Sequence, residues 1–117
     1  MDKMIFKIVA REQWEAAQHA GVFHGATIDL QDGYIHFSTA AQVRETAAKH
    51  FAGQDDLLLL TIDAPALGAA LKHEVSRGGA LFPHLYAPLT LACVERVDNL
   101  PLGADGGHVF PDHVSAS

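Results

Sequence analysis

The chain has 117 residues, 49% of them hydrophobic and 19% charged, with a formal net charge of −6. That balance excludes a disordered or fibrous chain, and the absence of any Lys/Arg cluster excludes duplex nucleic acid and anionic membrane surfaces as partners. Cys93 is the only cysteine, so no intramolecular disulfide and no Cys-rich zinc site is available.

Length predicts one domain over residues 1–117, with a core at 4–100 and an irregular tail at 101–117. The first residues lack the pattern of a signal peptide, and no apolar run approaches a membrane span, which predicts a soluble cytoplasmic protein. The sequence carries no mark of oligomeric state.

Met4 to Val9 has strand composition, with Met4, Phe6 and Ile8 on one face and Ile5, Lys7 and Val9 on the other. Lys7 therefore stands in the middle of an apolar strand. Arg11 to Ala20 reads as a helix with Trp14 and Ala17 inward, a poor N-cap, and Gly21 as its stop. Gly21 to Gly33, with Phe23, His24 and Asp29, reads as a loop.

Gly33 to Gln42 is the most informative stretch. Alternation puts Tyr34, His36 and Ser38 on one side of a strand and Ile35 and Phe37 on the other. Thr39 then reads as a helix N-cap, with Gln42 completing a capping box. Free N–H groups at such a junction favour anions, so the segment suits a phosphate-bearing small ligand, although it is also an ordinary way to start a helix.

The helix after Thr39 has Ala40, Val43, Ala47 and Phe51 at helical spacing, Lys49 and His50 in its last turn, and Gly53 as its close. Leu57 to Ile62 is apolar on both faces and predicts a central buried strand. Pro65 to Leu71 reads as a short helix or turn, Lys72 to Val75 as a short strand, and Ser76 to Gly79 as a turn. Leu81 to Pro88 contains Pro83 and Pro88 and reads as a rigid loop, and Leu89 to Val97 as a final strand. Ser115 to Ser117 reads as frayed. This order predicts an α+β domain rather than a doubly wound sheet, and no GxGxxG or Walker-type loop is present.

The eight histidines are scattered, with no metal-ligand spacing. His36 and His84 stand apart because large apolar neighbours fix each one: Ile35 and Phe37, and Phe82 and Leu85. A histidine held in a half-buried cleft can serve as acid, base or phosphate donor; both also read as satisfied core histidines. Ser38 lacks the G-x-S-x-G elbow of a nucleophile and reads as a hydrogen-bonding group. A metal-assisted hydrolase using His24, His36, His84 and Glu74 is a further reading, without support from spacing.

Ile35-His36-Phe37-Ser38-Thr39 with Gln42, then Glu74, then Phe82-Pro83-His84-Leu85-Tyr86 with Pro88-Leu89, resembles the small bacterial family catalogued as domain of unknown function 952, over about Met4 to Leu100. Ala87 replaces a glycine common in that family. The family in turn resembles, more remotely, the ADP-ribosyltransferase superfamily, including RNA 2′-phosphotransferases. That resemblance implies a split mixed or antiparallel sheet core with two main helices, gripping NAD in a cleft.

It also implies three functional strand positions: Lys7, then His36-Phe37-Ser38-Thr39, then Glu74. Lys7 stands where a histidine or arginine is more usual. His36, Ser38 and Glu74 would be the catalytic set, and Lys7, Thr39, His84 and Tyr86 the ligand-binding set, with Tyr34, Phe37 or Tyr86 stacking on the nicotinamide. The implied activity is NAD- or ADP-ribose-handling transfer; the alternative is a non-catalytic module that binds a nucleotide or small metabolite.

Overall fold

In the computed structural model, which describes residues 3–114, the elements are β1 (Met4–Ala10), α1 (Arg11–Ala20), β2 (Val22–Phe23), α2 (Thr27–Asp32), β3 (Ile35–His36), α3 (Val43–His50), β4 (Leu57–Asp63), β5 (Leu71–Val75), β6 (Leu81–Leu85), β7 (Leu89–Thr90) and β8 (Val94–Asn99). Short 3-10 turns occupy Ala64–Ala70, Arg77–Gly79 and Leu91–Cys93. The strands form three antiparallel sheets, ordered β1-β4-β8, β2-β7 and β3-β6-β5. The fold is α+β. Among the described residues no helix is long and apolar enough to cross a membrane.

β4 is central because it is apolar on both faces. Leu58, Leu60 and Ile62 enter one core with Ile5, Val9, Trp14 and Phe23, while Leu57 and Leu59 enter a second with Phe6, Ile8, Val43 and Ala47. Each such side chain contributes roughly 1.5–3 kcal/mol on burial. β1 alternates against it, sending Phe6 and Ile8 to one core and Ile5 and Val9 to the other, with Lys7 buried between them. α1 covers the first core through Trp14 and Ala17 and ends on Gly21 at φ +83.

Five expectations need correction. The Gly21–Gly33 segment is not a plain loop, since it holds β2 and the six-residue α2. Thr39 is not the N-cap of α3: Thr39 to Gln42 form a turn in which the Thr39 carbonyl accepts from the amides of Gln42 and Val43, and α3 starts at Val43. Half of the expected capping box survives, because Gln42 Oε1 accepts the Thr39 amide at 3.1 Å. Gly53 lies beyond the helix end; the Phe51 amide closes α3 on the Ala47 carbonyl.

Leu81 to Leu85 is a strand, and the middle one of its sheet, despite Pro83. The Pro83 carbonyl accepts the Phe37 amide, so its missing N–H faces β3 and no donor returns to Phe37. The β3 ladder stops at His36, and the chain crosses to β1, where Ser38 and Phe6 exchange both backbone hydrogen bonds. Leu89 to Val97 is divided, because β7 pairs with β2 while β8 pairs with β4, and the Leu91–Cys93 turn carries the chain between sheets.

The segment after Asn99 is irregular but packed. Leu100 and Val114 are buried in the second core, Arg44 donates to the Val114 carbonyl, and its guanidinium lies 5.0 Å from the Phe110 ring centre. Ser115 to Ser117 lie outside the described residues.

Candidate functional site

The step from β3 to β1 leaves a cleft of about 450 Å³ between the two sheets, bounded by α2 and α3. Lys7, Asp32, Tyr34, His36, Ser38 and Thr46 supply its polar lining, and Ile28, Phe37 and Phe51 its apolar lining. A volume of that order suits a small ligand.

A buried carboxylate organises one side. Lys7 cannot lie in an apolar core without a counter-charge, and Asp29 of α2 provides it, at 3.0 Å with no side-chain exposure. Asp29 also accepts from His36 Nδ1 at 2.6 Å, from the His36 amide at 3.1 Å and from the Ala26 amide at 2.7 Å. Burial alone would raise the Asp29 pKa. The His36 hydrogen bond, the Lys7 charge and the two backbone donors outweigh it and bring the group down to about 2. Burial pushes the Lys7 ammonium below its ordinary range against the pull of Asp29. Gly25 permits this packing, because a Cβ there would sit 2.7 Å from Asp29 Cβ, and its φ is +122.

His36 is gripped twice by α2. Its second ring nitrogen, Nε2, lies 2.9 Å from Asp32 Oδ2. Ser38 is spent locally: Thr46 donates to the Gln42 carbonyl, so the 2.9 Å contact between the two hydroxyls has Ser38 donating to Thr46. Ser38 thus offers lone pairs to the cleft.

The other sequence-derived residues meet on the same face of the β3-β6-β5 sheet. His84 stands opposite His36, and Glu74 is two residues along β5 from Lys72, the partner of His84. Glu74 Oε1 lies 2.8 Å from His84 Nδ1 and accepts from the Tyr86 hydroxyl at 2.7 Å. Those two hydrogen bonds, Tyr86 first, hold Glu74 below the usual carboxylate range, and the Glu74 bond raises Tyr86 to about 12. Tyr34 joins the two halves, stacking on His84 at 4.2 Å and lying 4.7 Å from His36 and 5.2 Å from Tyr86, centre to centre.

Lys7, His36 and Ser38 therefore share the cleft, with Glu74, His84 and Tyr86 behind the Tyr34 ring. Thr39 is half-buried in the turn before α3, outside the cleft lining. His24 lines a separate shallow groove with Tyr86 and Pro88. The set His24, His36, His84 and Glu74 is not gathered round one point, and the described residues hold no group of three or more His, Cys, Asp or Glu side chains placed for a metal ion.

Sequence reasoning missed Asp29, Asp32 and Thr46. The first had one signal: a lysine inside an apolar strand demands a buried anion.

Residues 8–97 match the family described as "Protein of unknown function (DUF952)". The chain belongs to the DUF952 family. An X-ray structure of protein CC0527 from Caulobacter crescentus is similar to it, with 50% identity over 95% of this chain and 97% of that chain and a TM-score of 0.90. The X-ray structure of a double mutant of CC0527 gives the same values. Its solution NMR structure has 50% identity, covers 95% of this chain and 96% of that one, and has a TM-score of 0.85. Among curated proteins the chain has no match. In this DUF952 chain the segments Ile35–Gln42 and Phe82–Leu89, which carry the family resemblance, flank the cleft and the Glu74–His84 pair.

Proposed function

We propose that this protein handles NAD or ADP-ribose in the cleft, by chemistry of the ADP-ribosyltransferase type. The observation that carries the reading is the convergence of Lys7, His36 and Ser38 on one cleft of about 450 Å³, with Glu74 one aromatic ring away. The cleft side that holds Lys7 and His36 carries two carboxylates, Asp29 against Lys7 and both Asp29 and Asp32 against His36. Two carboxylates beside a single lysine suit the cationic nicotinamide ring and its ribose better than a bare polyphosphate.

In this reading His36 and Ser38 orient the ribose, Lys7 faces the rest of a phosphate-bearing ligand, and His84 and Tyr86 act from behind the Tyr34 ring, while Thr39, outside the cleft lining, takes no part. As the ribose–nicotinamide bond breaks and its electron pair leaves with nicotinamide, Glu74, held ionised by Tyr86 and His84, stabilises the oxocarbenium ion left behind. Calorimetry with NAD, ADP-ribose and nicotinamide tests occupancy. Release of nicotinamide, lost in His36→Ala and Glu74→Ala, tests the chemistry; no binding of any of the three overturns the reading.

One observation favours a second reading, a non-catalytic module that binds a nucleotide or small metabolite. Ser38 donates to Thr46, so no base activates its hydroxyl, and the Lys7 ammonium is committed to Asp29. Binding without nicotinamide release selects this alternative.

A further inference from the structure

β5 is the outer strand of the β3-β6-β5 sheet, and its backbone directions follow from hydrogen bonds on either side of it. The Tyr86 amide donates to the Ala70 carbonyl and the Ser76 amide to the Ala80 carbonyl, so the even-numbered residues of β5 bond inward to β6. Lys72 and Glu74 thus turn their amides and carbonyls to His84 and Phe82. His73 and Val75 turn theirs outward, as does the Leu71 carbonyl, while the Leu71 amide is taken by the Gly68 carbonyl. Nothing among the described residues covers this edge: Lys72 and His73 are exposed, and Val75 is 70% exposed. An open edge of this kind is a template for another strand.

The sequence Leu71-Lys72-His73-Glu74-Val75 is complementary to itself when reversed. An antiparallel pairing with a second copy, centred on His73, sets Lys72 opposite Glu74 of the second copy, twice, and Leu71 opposite Val75, twice. Within that register every free outward amide finds a carbonyl, and only the Val75 carbonyl, opposite the Leu71 amide that Gly68 already holds, is left to solvent. The two His73 residues exchange amide and carbonyl bonds, and each Val75 amide reaches the opposing Leu71 carbonyl. The ion pairs fall at the non-hydrogen-bonded positions, where facing side chains approach most closely. Glu74 uses Oε1 for His84 and Tyr86, which leaves Oε2 for the incoming lysine.

We infer that β5 is a homodimerisation edge, on which a second copy of this chain adds antiparallel across His73 and brings its Lys72 to Glu74. The charge order of the strand selects a second copy over an unrelated peptide, whose backbone could meet the same edge but not the same charges. A five-residue seam is small beside a standard interface, so the association belongs to the weak, concentration-dependent class. The inference is independent of what the cleft binds.

Sedimentation equilibrium of the full chain at micromolar to millimolar concentration is the test. The wild-type chain is expected to dimerise over that range. His73→Pro removes an outward donor that no described group uses, so it should abolish association while far-UV circular dichroism stays unchanged. Lys72→Glu places like charges at both pairs and should weaken association about tenfold or more, as should Glu74→Lys. Mixing these two variants one to one restores opposite charges and should restore dimers. A wild-type chain that stays monomeric at millimolar concentration, a folded His73→Pro that still dimerises, or a mixture that stays monomeric overturns the inference.

Discussion

His36 and His84 face each other across the β3–β6 ladder, ring centres 5.5 Å apart and edge to face, and a carboxylate holds each from the side away from the other strand. Asp29 and Asp32 hold His36, and Glu74 holds His84, so two imidazole–carboxylate couples share one aromatic cluster around Tyr34.

Loss of the Asp29 carboxylate should be costly. Asp29→Asn keeps the shape but leaves the Lys7 ammonium buried without its counter-charge, and such a broken pair costs about 3–5 kcal/mol. Urea denaturation measures it. Adding Lys7→Met in the same chain should recover a large part of the loss, and strictly additive effects of the two substitutions would contradict the coupling.

Acid should act through the same carboxylate. Its folded value, about 2, lies below the ordinary 3.8, so the stabilisation is full above the ordinary value and drains away as pH falls toward 2. The shift corresponds to roughly 2 kcal/mol. The stability gap between wild type and Asp29→Asn should therefore narrow by about that amount over this acid window, and a gap that does not change with pH would contradict it.

Gly25→Ala should destabilise although the change is a single methyl group. The added carbon would meet Asp29 Cβ at 2.7 Å at a backbone φ of +122. Thermal melts should show a loss of about 1–3 kcal/mol, and the His36 ring signals in NMR spectra should shift as Asp29 is displaced.

Glu74→Gln should return one tyrosine to ordinary behaviour. With the anion gone, Tyr86 should titrate from about 12 back toward 10.0, read as tyrosinate absorbance near 295 nm. An unchanged titration curve would show that the Tyr86–Glu74 bond does not persist in solution.

Strands were legible where alternation was strong. β1 with its embedded Lys7, and β4 with both faces apolar, follow directly from side-chain order, as do α1 and its Gly21 stop. α2 was not legible, because six residues span less than two turns and Ala26 at its cap offers no side-chain acceptor. Asp29 was lost with it. Pro83 argued for a loop when only one side of its strand was in question: its missing donor faces the end of the β3 ladder, while its neighbours Phe82 and His84 pair normally with β5. Thr39 misled because the same residues that make a capping box also make the turn preceding one.

The absent proton on the Pro83 nitrogen also sets the dimensions of the pocket. Because pairing ends at His36 and resumes on the other sheet at Ser38, the gap between the sheets is bridged by the single residue Phe37. A two-step backbone span covers only about 7 Å, so that end behaves as a fixed hinge pin. Any widening to admit a guest has to come from the opposite rim, where the short helix bearing Ile28 and Asp32 is tethered through the Asp29 and Asp32 carboxylates.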